Sequence, residues 1–232
     1  MTTIHPTALV DKKAHLGENV SVGAFAIIEA DVEIGDGTTI ASHALVADGA
    51  RIGKDCKIHN GAVVSTVPQD LKFGGEKTLF NIGDNTTIRE FCTLNRGTHE
   101  SGASTVGSNC LLMAYVHVGH DCAIGNDVII ANSVQCGGHV HIDDHAIIGG
   151  MVGIHQFSRI GQHVMVGGGF RITKDVPPYI LAMGEPLRFA GINSVGLRRR
   201  GFQPDVLSAL KKTYRIIYRS KLNVSQAVAR IK

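Results

Sequence analysis

The chain has 232 residues, of which 44% are hydrophobic, 5% are aromatic and 28 are glycine, and it contains no tryptophan. This composition excludes a disordered chain, and a core with so few large rings must consist of small and branched aliphatic side chains. The net charge of +3 gives little reason to expect a nucleic acid partner. No stretch approaches about 18 consecutive apolar residues, so we expect no transmembrane segment, and the first residues show no secretory signal.

Apolar residues recur at every sixth position from Ile4 to Ile172, interrupted only at Asp70, Glu76 and Glu100. Small residues commonly stand two positions earlier, and glycine often follows directly. Hexapeptide repeats of this kind are typical of a parallel β-helix, in which three hexads form one triangular coil and each coil packs against its neighbours. We therefore predict an all-β domain, a parallel β-helix over residues 1–186.

The cysteines follow the same register. Four of them fall on the small inward position and Cys136 falls on the aliphatic one; the four are Cys56, Cys92, Cys110 and Cys122. Inward thiols in an apolar interior are poorly accessible, so we interpret them as structural. An odd number of cysteines without CxxC spacing favours a reducing compartment, which predicts a cytoplasmic protein.

Two segments break the repeat, at about residues 65–81 and 95–105, and both are polar and glycine-rich. Loops that project from a rigid scaffold commonly carry function. The hexads stop after Ile172, and residues 187–232 are predicted to form a small α-helical region. Pro204 begins one helix and Asn223 caps a second. The run of three arginines at 198–200 is either a solvated basic turn or an anion clamp.

Several histidines are predicted to share one edge of the β-helix. Val118, Cys136 and Ile154 are three hexads apart, so they lie on one face in successive coils, and beside them stand His117, His120, His139 and His155. Imidazole titrates near neutral pH, which makes His120 a candidate general base, and the adjacent Asp121 could fix its tautomer. The histidines outside this cluster are expected to be solvated: His5, His15, His43, His59, His141, His145 and His163.

Histidines on adjoining coils could instead bind zinc, as in the hexapeptide carbonic anhydrases. That group has a His-x4-His pair with a third histidine about two coils earlier. Here the pair is His117-x2-His120, and Asn81 stands two coils before His117. Zinc binding is therefore the less favoured interpretation.

The segment LLMAYVHVGHDC at residues 111–122 resembles the UDP-N-acetylglucosamine O-acyltransferase family of lipid A synthesis. The similarity extends from Ile4 to Ser220 and includes QDLK at 69–72, NIGD at 81–84, NRGT at 95–98, IIGGM at 147–151, HQF at 155–157, DVPPY at 175–179 and LRRRGF at 197–202. The resemblance implies that the β-helix is left-handed and that the protein is a homotrimer. It also implies transfer of a 3-hydroxyacyl chain from acyl carrier protein to the 3-hydroxyl of UDP-N-acetylglucosamine, with no cofactor and no metal.

The resemblance also implies roles for individual residues. His120 matches the family's general base, Asp121 its orienting partner, and Gly138 the backbone amide that stabilises the oxyanion. His139 matches a histidine that binds substrate or the acyl chain, and Gly168 matches the residue that measures acyl-chain length. The residues matched to nucleotide-sugar binding are Gln69, Asp70, Lys72, His117, His155, Gln156, Asn193 and Arg200.

Three classes of function remain open at this stage. The first is the O-acyltransferase. The second is a related transferase, either one forming an amide on a 3-amino sugar nucleotide or one using acetyl-CoA. The third is a non-catalytic β-helix such as an ice-binding protein, which would show a flat array of threonines and unbroken coils. Neither feature is present in this sequence.

Overall fold

The computed structural model describes residues 1–231 and confirms the left-handed parallel β-helix. Within that range the strands form three sheets, the faces of a triangular prism, and every strand pair is parallel except the last pair along the chain. Sheet 1 contains β1 (Thr3–Ile4), β4 (Ser21–Val22), β7 (Thr39–Ile40), β10 (Lys57–Ile58), β13 (Thr87–Ile88), β16 (Leu111–Leu112), β19 (Ile129–Ile130), β22 (Ile147–Ile148), β25 (Met165–Val166), β27 (Ile180–Met183) and β28 (Arg188–Ile192).

Sheets 2 and 3 have the same construction. Sheet 2 contains β2 (Leu9–Val10), β5 (Ile27–Ile28), β8 (Leu45–Val46), β11 (Val63–Thr66), β14 (Thr93–Asn95), β17 (His117–Val118), β20 (Gln135–Cys136), β23 (Gly153–Ile154) and β26 (Arg171–Ile172). Sheet 3 contains β3 (His15–Leu16), β6 (Glu33–Ile34), β9 (Ala50–Ile52), β12 (Leu79–Ile82), β15 (Ala103–Val106), β18 (Ala123–Ile124), β21 (His141–Ile142) and β24 (Arg159–Ile160).

The hexad residue of each strand points into the prism. In sheet 2, Val118 pairs in register with Leu94 on one side and Cys136 on the other, and all three are buried. The residue before each inward residue points to the outer face, because successive side chains of a strand point to opposite sides of the sheet. The core is therefore a stack of aliphatic layers, one per coil, as the sequence predicts.

The corners between sheets carry residues with positive φ. They include many non-glycine residues, such as Asn85 (φ 56°), Asp121 (φ 58°) and His139 (φ 59°). Asparagine, aspartate and histidine are enriched in this left-handed region because short polar side chains tolerate it better than branched ones. Each corner therefore presents its side chain at an edge of the prism.

Both insertions leave the prism at the edge between sheets 2 and 3. One loop, residues 67–78, joins β11 to β12, and the other, residues 96–102, joins β14 to β15. The turn containing His120 joins β17 to β18 at the same edge, one coil further along. The prediction that both insertions lie beside the histidine cluster is confirmed.

The C-terminal region differs in part from the sequence prediction. The segment predicted to be helical over 187–232 opens with β28, which pairs antiparallel with β27 and extends sheet 1. Helices then follow as α1 (Ser194–Arg199), α2 (Pro204–Arg219) and α3 (Val224–Ile231). Pro204 begins α2, and Asn223 Oδ1 accepts a hydrogen bond from Gln226 N–H at the start of α3.

Helix α2 packs on the last coils of the prism through its aromatic face. The Tyr214 hydroxyl donates to the Pro178 carbonyl at 2.6 Å, and the rings of Tyr214 and Tyr218 stack with Phe189. Of the helices within residues 1–231, none has both the length and the apolar character needed to traverse a lipid bilayer.

Candidate active site

His120 and Asp121 form a hydrogen-bonded pair at the edge between sheets 2 and 3. Nδ1 of His120 lies 2.7 Å from Oδ2 of Asp121. An ionised carboxylate only accepts hydrogen bonds, so this contact places the imidazole proton on Nδ1 and leaves Nε2 as the basic nitrogen. The pair has the geometry required of a general base with an orienting carboxylate.

The Asp121 carboxylate is fully enclosed, and its side chain has 0% exposed surface. Burial by itself raises the pKa of Asp121. Hydrogen bonds from Ser101, His120 and Thr98 outweigh the burial and hold the pKa at about 2. The carboxylate therefore stays ionised at neutral pH, as an acceptor for His120 Nδ1–H must.

His139 completes the cluster one coil further along. Its ring meets the His120 ring edge-on with centroids 5.1 Å apart and stacks on Phe157 at 4.4 Å. Nε2 of His139 lies 3.6 Å from Asp121 Oδ2 and 3.5 Å from Glu100 Oε2. The side-chain atoms of His120, Asp121 and His139 that could ligate a metal lie within 4.8 Å of one another, a spacing that would also suit a metal ion. The Asp121 oxygens, however, are already engaged by hydrogen-bond donors of the chain itself.

His117 lies on the outer face of sheet 2, directly before the inward Val118. Its Nδ1 is 2.8 Å from the Thr93 hydroxyl. Burial lowers the pKa of His117, partly offset by the contact with Thr93, while the nearby His120 lowers it further. The neutral imidazole is therefore favoured, which suits a ring that orients a polar ligand by hydrogen bonds.

A groove of about 1010 Å³ crosses the outer face of sheet 2. At one end it contains His117, His120, Gly138, His155 and Gln156, and at the other it reaches Ser133, Met151 and Gly169. Gln69 of the first insertion also lines it. Of these residues, His117, His120 and His155 were predicted from the sequence to lie together, and the structure brings them to one end of the groove. Each stands within two residues of an inward position, Val118 or Ile154, of the same three-hexad column.

Position 138 must be a glycine because the His120 ring occupies the space that a side chain there would fill. A Cβ built on Gly138 would lie 2.7 Å from both Cε1 and Nε2 of His120. Real Cβ atoms essentially never approach so closely, so the ring can occupy its position only above a glycine. Within residues 1–231 the Gly138 N–H donates to no acceptor, which leaves it available to a ligand in the groove.

The first insertion forms a second, smaller cavity with the histidine cluster. This cavity of about 290 Å³ contains Gln69, Asp70 and Lys72 together with His120 and His139. The two insertions also contact each other, since Glu76 Oε1 accepts a hydrogen bond from His99 N–H at 3.2 Å. Lys72 therefore brings a cation to the edge that carries His120 and His139.

Asn193 and Arg200 lie at a different edge, between sheets 3 and 1. Arg200 lines a cavity of about 710 Å³ with His145, His163 and Phe202. The Asn193 amide caps α1 by accepting from Gly196 N–H and donates to the His163 carbonyl at 3.0 Å. A single chain thus does not bring these two residues to His120.

The same edge corrects one expectation. His163, expected to be solvated, is 8% exposed and stacks between His145 and Tyr179. Burial, assisted by His145 and Arg200, lowers the pKa of His163. The hexad pattern could not show this, because the covering rings of Tyr179 and Phe202 come from the chain beyond the hexads.

Gly168 is exposed at the edge between sheets 1 and 2. A Cβ added there would lie 3.0 Å from the Gly150 carbonyl oxygen, 3.4 Å from Gly150 N and 3.8 Å from the Gly149 carbonyl carbon. Its neighbour Gly169 lines the far end of the groove. A long side chain at Gly168 would therefore stand beside that end of the groove.

The residues of the second insertion that bind Asp121 were not foreseen from the sequence. Thr98 donates to the carboxylate through both its backbone N–H and its hydroxyl, each at 2.8 Å, and the Ser101 hydroxyl is a further partner. The motif NRGT at 95–98 was the available signal, but spacing alone does not tell which loop atoms reach a carboxylate in the next coil.

A hexapeptide β-helix with a histidine–carboxylate pair beside a broad groove defines a class, the hexapeptide-repeat acyltransferases. The chain matches the bacterial transferase hexapeptide family at residues 13–48 and 103–138, and the second domain of UDP-N-acetylglucosamine O-acyltransferase at residues 175–232. The chain belongs to the UDP-N-acetylglucosamine O-acyltransferase family.

Full-length relatives and solved structures agree with this assignment. The acyl-[acyl-carrier-protein]–UDP-N-acetylglucosamine O-acyltransferase of Chlorobaculum parvum is 60% identical over 100% of this chain and 88% of its own length. The enzyme of that name from Sulfurihydrogenibium is 59% identical, covering 100% of this chain and 86% of its own. The UDP-N-acetylglucosamine acyltransferase structure from Bacteroides fragilis superimposes with a TM-score of 0.97 at 48% identity, covering 98% of this chain and 89% of the other.

Proposed function

We propose that this chain transfers a 3-hydroxyacyl group from acyl carrier protein to the 3-hydroxyl of UDP-N-acetylglucosamine. The observation that carries the proposal is the His120–Asp121 pair, with Nε2 unprotonated, at the mouth of the groove. The curated relatives that cover the whole chain act on this nucleotide sugar and this carrier according to their names. Sulfhydryl catalysis is not part of the proposal, because all five cysteines are buried inside the described prism.

The mechanism is a direct transfer. His120 Nε2 takes the proton of the sugar hydroxyl as the oxygen attacks the thioester carbonyl. The negative charge that develops on the carbonyl oxygen accepts a hydrogen bond from Gly138 N–H. The carbon–sulfur bond then breaks, and the His120 imidazolium returns the proton to the leaving thiolate. Asp121 keeps the imidazole in the required tautomer throughout.

His120→Ala is expected to reduce turnover by about 10² to 10⁴-fold, the usual loss of a general base. His141→Ala, an exposed histidine on sheet 3, is the matched control and should keep wild-type activity. Product formation from UDP-N-acetylglucosamine and a 3-hydroxyacyl carrier protein is followed by mass spectrometry. A His120→Ala variant with more than about a tenth of wild-type activity would contradict the mechanism.

The acceptor is tested by supplying the 3-amino analogue of the sugar nucleotide, and acetyl-CoA is tested as an alternative donor. An amine needs less help from a base than a hydroxyl does. We expect the 3-hydroxyl acceptor and the carrier-protein thioester to give the highest kcat/KM. A preference for the amino sugar would assign the chain to the N-acylating alternative instead.

We further propose that the active enzyme is a cytoplasmic homotrimer with sites shared between subunits. Asn193 and Arg200 lie at a different prism edge from His120, so a neighbouring copy would have to present them to the groove. Lys72 and Arg200 would then bind the diphosphate from two sides. The remaining nucleotide-sugar residues are Gln69, Asp70, His117, His155 and Gln156, and His139 binds substrate or the acyl chain.

Subunit mixing tests the shared site. In a random mixture of His120→Ala and Arg200→Ala chains, roughly one site in four would combine an intact His120 with a neighbour's intact Arg200, if the trimer is cyclic. The mixture, unfolded and refolded together, is expected to regain about a quarter of wild-type activity. No gain over the separate variants, or a stable active monomer in sedimentation equilibrium, would refute the proposal.

The acyl chain is proposed to extend along the groove toward Gly168. Each additional buried methylene contributes about 0.8 kcal/mol, roughly fourfold in affinity, so an open end at Gly168 favours long 3-hydroxyacyl donors. Gly168→Met is expected to shift the preference toward shorter chains, measured as kcat/KM over a series of carrier-protein thioesters. An unchanged preference in the methionine variant would show that another residue limits chain length.

A further inference from the structure

The Asp121 carboxylate accepts hydrogen bonds on both oxygens from one short loop. Oδ1 lies 2.8 Å from Thr98 N and is also bonded to the Ser101 hydroxyl. Oδ2 lies 2.8 Å from the Thr98 hydroxyl and 2.7 Å from His120 Nδ1. Thr98 itself is only 4% exposed, so these bonds are shielded from water.

The donors come from residues 96–102, the segment that interrupts the hexads between β14 and β15. Backbone hydrogen bonds hold the start of the loop, from Arg96 N–H to Thr66 O at 3.0 Å and from Gly97 N–H to Leu79 O at 3.1 Å. The end of the loop is held by a hydrogen bond from Leu79 N–H to Gly102 O at 3.0 Å. A further bond from Gly102 N–H to Thr98 O closes it on itself. The loop is therefore a fixed structure.

A regular corner shows what the loop adds. Asp127 also stands at a corner with positive φ, but no insertion covers it. Its side chain is 43% exposed, and the ring nitrogen nearest to its carboxylate, His145 Nδ1, is 3.8 Å away. The same residue type in the same backbone conformation is thus solvated at one corner and enclosed by donors at the other. The difference is the loop.

We propose that Thr98 and Ser101 are positioning residues of the general base, and that the loop at 96–102 serves to orient His120 through Asp121. The inference rests on the proposed acyl transfer. A carboxylate enclosed in protein must be stabilised by donors, or it would take up a proton or turn toward solvent. Because Thr98 and Ser101 engage the other lone pairs of the carboxylate, Asp121 directs its remaining lone pair at His120 Nδ1. The imidazole is then held with Nε2 toward the groove.

The other groups around this carboxylate are consistent with that role. His139 Nε2 lies 3.6 Å from Oδ2, beyond hydrogen-bonding distance, and Glu100 Oε2 lies 3.5 Å from the same nitrogen. The Glu100 carboxylate is 60% exposed and adds no donor. Orientation of Asp121 therefore depends on Thr98 and Ser101 more than on its titratable neighbours.

The test uses Thr98→Val, Ser101→Ala and the double variant. Each removes a hydroxyl and leaves the backbone in place. Thr98→Val also removes the acceptor for Glu100 N–H, and Ser101→Ala also removes the hydrogen bonds between the Ser101 hydroxyl and the Ala103 backbone. The double variant is expected to lose about 10-fold to 100-fold in kcat, because hydrogen bonds to charged groups are among the strong ones. KM for UDP-N-acetylglucosamine should change little, since neither residue is placed against the sugar.

Two further measurements separate positioning from mere folding. Thr98→Ser restores the hydroxyl and should restore kcat to near wild type. The carboxyl titration of Asp121, followed by carbon-13 NMR, should move upward from about 2 toward its ordinary 3.8 in the double variant. Ser104→Ala removes a buried hydroxyl of neighbouring β15 that has no partner, and it is the matched control that should change neither quantity.

Wild-type kcat and an unmoved carboxyl titration in the double variant, alongside an inactive His120→Ala, would overturn this inference alone. A loss of kcat that follows a lowered unfolding temperature and that Thr98→Ser does not reverse would also overturn it, as a purely structural effect. Activity retained in His120→Ala would instead refute the proposed function on which the inference rests.

Discussion

Gly138 and His120 interlock, because the imidazole occupies the space that a side chain at position 138 would need. Gly138→Ala would place a methyl group 2.7 Å from the ring atoms that face the substrate. We expect the ring to be displaced and kcat to fall by about tenfold or more, since misplacement of a catalytic group by about 1 Å is costly. Thermal unfolding should stay close to wild type. Full activity in this variant would show that the ring can move without loss.

The buried carboxylate also makes a prediction about acid stability. The folded-state pKa of Asp121, about 2, lies below the ordinary 3.8, so the charged form is favoured by folding. This contribution is complete above about pH 4 and is lost as the pH falls toward 2; its size is roughly 2 kcal/mol. Denaturant unfolding of Asp121→Asn should therefore show a weaker loss of stability over this range than the wild type does. If the free energy of unfolding depended equally on pH in the two proteins, the lowered pKa of Asp121 would be contradicted.

Among the structural elements, the corners impose the strictest demand on residue type. Asn85 is exposed at a corner and has a φ of 56°. Asn85→Val is expected to lower the free energy of unfolding by about 1–2 kcal/mol, because a branched side chain clashes in the left-handed conformation. Asn85→Gly, which accepts that conformation without strain, is the matched control and should change stability little. Calorimetric unfolding of both variants measures the difference.

The two insertions and the antiparallel pair of β27 and β28 mark the limit of predicting structural elements from the sequence. The breaks in the hexad repeat located both loops near the right residues, because an inward position filled by Asp70 or Glu100 cannot join an apolar layer. Strand β28 was not foreseen. Its residues acquire strand structure by pairing with β27 at the end of sheet 1, a partner that local sequence does not reveal.

For the whole molecule, the continuous apolar interior predicts inert thiols. Burial raises the pKa of Cys92 to about 11 and that of Cys122 to about 12, and it raises the pKa of Cys136 well above its ordinary value. Thiolate is the reactive form. We expect no thiol to react with Ellman's reagent at pH 8 within minutes in the native protein, and all five to react in denaturant. Rapid labelling of any thiol in the folded protein would contradict this packing.

The sequence by itself determined the β-helix, the inward columns and the coincidence of His120, His139 and His155 on one edge, with His117 beside it on sheet 2. It could do so because the repeat has a fixed period. Once an apolar side chain must point inward every sixth residue, the face and coil of every residue in the repeat follow from counting.

Only the tertiary structure decided how the non-repeating segments meet the repeat. Counting placed Asp121 beside His120 but could not show that Thr98 and Ser101 enclose it, since loop conformation depends on contacts distant in sequence. For the same reason it placed His163 in solvent, where Tyr179 and Phe202 in fact cover it. The separation of Arg200 from His120 within one chain also emerged only in three dimensions, because the tail that carries Arg200 packs by surface complementarity and has no period to count.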